Sequence, residues 1–393
     1  MKNRMLSWVA ALAAAAGMAS PTIAADKVKI GLITTLSGPN AAPGIEIRDG
    51  FNLALKLANG RFGGLPVEVI QADDQLNPEI AKQNVDRMIK RDRVDFLTGI
   101  VYSNVLLAIA QTAIEAKTFY ISPNAGPSQL AGEGCSPYFF AASWQNDTIH
   151  EAPGKFALDR GMKNVFLLSA NYAAGKDAMA GFRRYYTPKP VDEVYVKLGQ
   201  LDYSAEIAQI RAAKPEAVYF FLPGGMGVNF VKQFVAAGLS KDVRLIATGV
   251  TADEDVIRAT GDAMIGLFNA APWSSDLDNP ANKIFVSAFE KEYNRLPTAY
   301  ASQAYDTALM IDAAVRDVKG KIEDKDALMK ALRAARFKSV RGEFKLNNNH
   351  FPIQNYYLRV IGKDAQGRTT NKTLGTVFTN HGDSFAKQCK MKF

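Results

Sequence analysis

Two short stretches hold the residue types of a small-ligand receptor. Leu97-Thr98-Gly99-Ile100-Val101-Tyr102-Ser103-Asn104 and, one helix length on, Tyr120-Ile121-Ser122-Pro123-Asn124-Ala125-Gly126 each run from apolar residues into a small polar turn. A strand that feeds a helix in this way, twice in succession, gathers backbone N–H groups and hydroxyls at the carboxyl edge of a parallel sheet, where α/β folds bind ligands. Ser103, at a helix start, also suits a plain N-cap, and the two roles can coincide.

Residues with catalytic potential form no constellation. The three histidines, His150, His350 and His381, lack metal spacing, so no metal is expected; G-x-S-x-G is absent, and neither cysteine stands beside a histidine. Ala174-Gly175-Lys176-Asp177 contains the Gly-Lys pair of a P-loop without its upstream glycine or its following Ser/Thr. Asp73-Asp74 follows a strand and suits a solvated turn better than a catalytic pair. The sequence therefore points to a binder, with no enzyme activity and no cofactor.

The N-terminus predicts export. Lys2 and Arg4 precede an apolar run from Met5 to Met18, too short to span a bilayer, and small residues follow to Ala25. Residues 1–25 read as a signal peptide cleaved near Ala24 or Ala25, which predicts a periplasmic protein. No cysteine lies near that point for a lipid anchor. The net charge of +8 is spread among acids without a dense basic block, so no nucleic-acid partner is expected. In an oxidising compartment Cys135 and Cys389 have only each other to pair with, although two free buried thiols remain open.

The elements that would position these turns alternate. Val28 to Thr34, Val67 to Ala72, Val94 to Gly99 and Phe119 to Ser122 read as strands, separated by amphipathic segments, which predicts a parallel sheet covered by helices. A second series begins after Trp144. Strands are expected at Val165 to Leu168, Val191 to Val196, Ala217 to Leu222 and Leu245 to Ala247, with helices at about Asp147 to Arg160, Met179 to Tyr186, Ala205 to Ala213 and Gly227 to Ala237. Beyond Trp273 come helices from Pro280 to Asn294 and Thr298 to Val318, then strand-like runs at Val340 to Phe344 and Tyr356 to Ile361. The fold class is α/β with two lobes.

Ser37-Gly38-Pro39, the Gly99 to Ser103 turn, Ile121-Ser122-Pro123, Asn171-Tyr172-Ala173-Ala174-Gly175, Gly261-Asp262-Ala263 and Tyr305-Asp306 resemble, in order and spacing, the periplasmic solute-binding proteins of branched-chain amino-acid-type ABC transporters. The resemblance covers nearly the whole mature chain. It implies two Rossmann-like lobes with parallel central sheets, joined by three hinge crossings near Ala142, Pro272 and Asn349. The N-terminal lobe would take residues 26–141 and 274–349, the C-terminal lobe residues 145–271 and 353–393. It also implies that Ser103 and the backbone of Asn124, Ala125 and Gly126 hold a ligand carboxylate while Tyr172 reaches in from the other lobe. A hydroxyl with helix N-terminal amides suits an ionised acceptor.

Two departures narrow the ligand. Amino-acid binders of this family carry a threonine where Gly126 stands and an acid where Gly249 and Val250 stand, and a desolvated ammonium without such partners costs several kcal/mol. Asp253, Glu254 and Asp255 look like the acidic first turn of a helix. Tyr102, Trp144, Tyr172 and Tyr305 would line the cleft, and Gly224 and Gly225 would leave room for a flat ring; Trp273 is given no ligand role. The expected ligand is a small carboxylate, favoured as an aromatic acid such as a benzoate or phenylpropenoid, bound by a monomer that delivers it to an inner-membrane permease. An amino-acid binder of the same family and a sensory ligand-binding protein are the alternatives.

Overall fold

The computed structural model describes residues 25–391, so the predicted leader and its cleavage point lie outside the described residues except for Ala25. The first sheet consists of β1 (Val28–Thr34), β2 (Arg61–Phe62), β3 (Leu65–Asp73), β4 (Phe96–Thr98), β5 (Phe119–Ser122) and β6 (Phe139–Ala141), in the order β2-β3-β1-β4-β5-β6. All neighbours run parallel except β2 and β3. Its central strands are buried almost throughout, as strands covered on both faces must be. The covering helices include α1 (Ala42–Leu57), α2 (Pro78–Arg87) and α3 (Ser103–Glu115).

The chain then crosses to a second unit: α4 (Asn146–Asp159), β7 (Val165–Ala170), α5 (Ala173–Tyr185), β8 (Asp192–Val196), α6 (Ser204–Ala213), β9 (Ala217–Phe221), α7 (Gly225–Ala236), β10 (Arg244–Thr248), α8 (Glu254–Thr260) and β11 (Phe268–Ala271). Helices α9 (Pro280–Tyr293), α10 (Ala299–Asp317) and α11 (Lys325–Ala334) return to the first sheet. There α10 lies so close to α1 that a Cβ at Gly50 would sit 2.1 Å from the Ala301 carbonyl oxygen. Strands β12 (Lys345–Leu346), β13 (Pro352–Lys363) and β14 (Thr369–His381) complete the second sheet. Its order is β12-β13-β11-β10-β9-β7-β8 with β14 on β13; β13 is antiparallel to its neighbours and the rest run parallel. The protein is thus a two-lobed α/β fold, and its chain passes between the sheets after β6, after β11 and between α11 and β12.

A buried ion pair binds two of these passages together. Asp306 of α10 accepts hydrogen bonds from Ser339 Oγ (2.5 Å), the Val340 N–H (3.1 Å) and Arg341 Nε (3.1 Å). The Arg341 guanidinium also donates to the Ala142 and Ser143 carbonyls of the first crossing and to Gln354 Oε1 of β13 (2.8 Å). These bonds explain one difference from the sequence reading. Val340 to Phe344 is a turn, with Gly342 at φ +94°, because Asp306 captures the backbone and turns Arg341 inward; extended pairing starts only at Lys345.

Two further differences lie at element edges. Helix α5 starts at Ala173, six residues before the expected Met179, which makes Tyr172 its N-cap residue. Strand β14 gave no apolar signal because it is a polar, half-exposed arm paired on one side to β13. Cys135 and Cys389 form a disulfide that ties the segment after β14 to the loop before β6, with Cα atoms 5.7 Å apart.

Candidate functional site

A cavity lies where the carboxyl ends of both sheets meet the crossings. It is narrow, with a free volume of about 20 Å³ between the closed units. Tyr102, Ser103 and Asn124 line it from the first unit, Trp144 from the crossing, and Tyr172 from the second. Of the other residues expected in the cleft, Ala125, Gly126, Gly224, Gly225 and Tyr305 are not part of the lining.

Four of these five residues are held elsewhere by their packing. The Gly126 N–H donates to Asn146 Oδ1 (3.0 Å), and a Cβ at Gly126 would fall 2.0 Å from the Trp144 carbonyl oxygen, so the threonine of amino-acid binders has no room there. A Cβ at Gly225 would meet the Pro39 carbonyl oxygen at 2.5 Å, and Gly224 (φ +61°) lies against Pro43; both sit where the units touch, while Pro223 faces the cavity. Tyr305 packs on Phe285, ring centroids 4.8 Å apart, and Tyr300 in the first turn of α10 takes the cavity position, its hydroxyl donating to the Val250 carbonyl (3.2 Å). Trp273 is buried with its Nε1 on Asn282 Oδ1 (2.7 Å), away from the cavity.

Ser103 is not the cap. Tyr102 holds the extended N-cap conformation, and Ser103 is the first residue of α3. Its Oγ accepts from Asn146 Nδ2 (3.1 Å), which leaves the hydroxyl proton to be donated elsewhere. Asn146 opens α4, and its Nδ2 also donates to Asp177 Oδ2 (3.0 Å). Asp177 of α5 accepts from Ser128 through both Oγ (2.8 Å) and N–H (3.1 Å), and burial raises its carboxyl above the ordinary range. One amide thus orients the Ser103 hydroxyl and joins the two units.

Two helix N-termini from opposite units face this space. Tyr102 and Ser103 begin α3, and Tyr172 and Ala174 begin α5, so the unpaired N–H groups and positive dipole ends of both helices converge on the cavity. No Asp, Glu, Lys or Arg lines it. His150, one turn after Asn146 on α4, is held neutral there, burial pushing its pKa down to about 3. Asn124 turns Nδ2 to the Val101 carbonyl (2.6 Å) and leaves Oδ1 as a buried unpaired acceptor. The Tyr172 ring lies between Tyr102 and Phe221, with centroids 6.3 and 6.2 Å away.

Two of the three acids after Val250 are engaged elsewhere, while both carboxyl oxygens of Asp255 are buried without a hydrogen-bond partner. Asp253 takes the Ala299 N–H (2.7 Å) at the head of α10, and Glu254 accepts from Thr370 Oγ1 (2.8 Å) and the Asn371 N–H (3.1 Å). Asp255 is buried in the first turn of α8, its carboxyl raised to about 7 by desolvation and by Glu46. A Cβ at Gly249 would lie 2.4 Å from Ala271 Cβ and 2.5 Å from Arg359 Nη2, so no acid fits at that position. Ion pairing of Arg258 with Glu46 (2.6 Å) adds another contact between the units, which are closed on one another.

Sequence reasoning missed Asn146, His150, Phe221, Pro223 and Tyr300. Asn146 and His150 share one face of the helix that follows Trp144, and Tyr300 stands two residues after the Thr298 cap, so their spacing from recognised landmarks was the available signal.

A family model described as "Periplasmic binding protein" matches residues 27–366. Leu/Ile/Val-binding protein homolog 6 of Brucella melitensis is 28% identical over 395 residues, 98% of each chain. Among solved structures, a solute-binding protein of an ABC transporter from R. palustris in complex with benzoate is 32% identical, with a TM-score of 0.88 over 93% of this chain and 100% of that one. Another from Rhodopseudomonas palustris BisB5, in complex with 3,4-dihydroxybenzoic acid, is 31% identical, with a TM-score of 0.85 over 92% and 99%.

Proposed function

We infer, for a chain that belongs to the periplasmic binding protein family, that it is the solute receptor of an ABC importer and closes its lobes on a small aromatic monocarboxylate. The observation that carries the reading is the cavity lining: aromatic walls, no formal charge, and a free hydroxyl proton on Ser103 between two helix N-termini. Such a site offers an anion hydrogen-bond donors and dipoles but offers an α-ammonium no anionic partner. The buried unpaired acceptor Asn124 Oδ1 is a neutral amide oxygen and a weak substitute for a carboxylate. Benzoate and 3,4-dihydroxybenzoic acid in the two related structures support the same class.

The lobes are assigned as residues 26–141 with 274–349 and 145–271 with 353–393. The leader ends near Ala24 or Ala25, and the mature monomer works in the periplasm, handing ligand to an inner-membrane permease without turning it over. Among the described residues no helix is long and apolar enough to cross a membrane. A ligand that binds only the folded state raises the melting temperature according to RT ln(1 + [L]/Kd), so a thermal-shift screen tests the assignment. Aromatic monocarboxylates should stabilise the mature protein more than leucine, isoleucine or valine do. Stabilisation by those three amino acids alone would establish the amino-acid reading instead.

A further inference from the structure

The Ser103 hydroxyl serves one end of the cavity; α4 measures the distance to a second polar point. Asn146, which holds Ser103 Oγ, is the first residue of α4, and His150 follows four residues later on the same helical face. Four residues of helix rise about 6 Å, comparable to the separation of the two substituents on a para-substituted benzene ring. Both residues line the same cavity, with Ile149 beside His150 and Phe221 against the imidazole at 4.7 Å, edge to face.

The imidazole is fixed in place. Its Nδ1 is hydrogen-bonded to the Tyr219 hydroxyl on β9, which leaves Nε2 as the ring nitrogen available to the cavity. Resting on the reading that the site holds an aromatic monocarboxylate at Ser103, we propose that His150 is a specificity-determining residue that hydrogen-bonds a hydroxyl on the far, para side of the ligand ring. The Tyr219 hydroxyl can donate to Nδ1, making Nε2 a donor, or accept from it, making Nε2 an acceptor. A phenolic hydroxyl, itself both donor and acceptor, is satisfied by either tautomer. A charged para substituent would meet no counter-charge there, because burial keeps the imidazole neutral. An unsubstituted ring leaves Nε2 without a partner in an apolar, water-poor end, and a site built to bond a hydroxyl discriminates against the analogue lacking it.

Isothermal titration of the mature protein with benzoate and with 2-, 3- and 4-hydroxybenzoate tests this. The 4-hydroxy compound should bind about tenfold more tightly than benzoate, with the 2-hydroxy isomer gaining nothing. In His150→Phe, which keeps a flat ring of similar size, the ratio between 4-hydroxybenzoate and benzoate should fall to near one. If His150→Phe does not fold, the 15N chemical shifts of His150 in wild type give the second measurement: Nε2 should respond to 4-hydroxybenzoate and not to benzoate. Equal wild-type affinities for the two acids, or a ratio unchanged in the variant, would overturn the role of His150 while leaving the carboxylate reading intact. Absence of binding by all four acids would instead remove the reading on which it rests.

Discussion

Ser103→Ala isolates the carboxylate end of the site. The Ser103 hydroxyl accepts from Asn146 Nδ2 at 3.1 Å and keeps its proton for a ligand. The substitution therefore removes one donor to an ionised acceptor, a bond that contributes about 1.5–3 kcal/mol. Asn146 Nδ2 keeps one N–H on Asp177 Oδ2 at 3.0 Å, but its second N–H loses Ser103 Oγ, so the ligand-free variant should also lose about 1–3 kcal/mol of stability unless water takes that place. Affinity for a bound aromatic acid should fall roughly tenfold to a hundredfold. Titration calorimetry reads that loss, and thermal unfolding of the ligand-free variant checks that the protein is still folded at the titration temperature. Ser103→Thr, which restores a hydroxyl at the same place, should recover most of the affinity. Binding within twofold of wild type by Ser103→Ala would mean that the hydroxyl does not face the ligand, and the assignment of this end of the cavity would fail.

Other expectations follow from the same contacts. Tyr172→Ala removes the ring set between Tyr102 and Phe221, so it should weaken binding and also reduce ligand-induced compaction in small-angle scattering; unchanged compaction refutes a role in closure. Reduction of Cys135–Cys389 should lower stability by about 2–4 kcal/mol in denaturant titrations with and without reductant, and coincident curves would contradict it. Asp255 has its carboxyl raised to about 7, so ionising it costs the folded protein stability above the ordinary aspartate range, and that cost fades as pH falls through 7. Asp255→Asn should thus raise stability in denaturant titrations at pH 8 by up to a few kcal/mol, on roughly 1.4 kcal/mol per pKa unit, and by less than half as much at pH 5. Equal gains at both pH values would show that desolvation of Asp255 is not the cause.

What the sequence could convey depended on how locally each feature is determined. Strands β1 and β5 are read to the residue because a buried parallel strand is an unbroken apolar run bounded by turn residues. Strand β14 is invisible because its stability comes from pairing with β13, which no local pattern records. In the cavity, Tyr102, Ser103, Asn124, Trp144 and Tyr172 were legible because each stands at an element boundary that the turn chemistry marks. Tyr305 was misplaced in favour of Tyr300 because which face of α10 looks at the crossings depends on its packing against α1 and α9, and Phe285 claims Tyr305. Asn146 and His150 could not be weighted from sequence, since their importance lies in partners 43 and 69 residues away.

The placement of α3 and α5 on opposite units also bears on how a cargo is let go. With the units together, both positive helix ends and the Ser103 hydroxyl would act on an anion held as proposed; each dipole contributes about 0.3–1 kcal/mol when exposed, and more when partly buried. Prising the units apart takes α5 and its Tyr172 away from the anion and admits water, which restores the solvation the ligand gave up. Separation by a few ångströms therefore turns a strong grip into a weak one without any competing solute. Mechanical opening by a docked partner would be sufficient to discharge the receptor, and nothing in the cavity would need to change its protonation for discharge to occur.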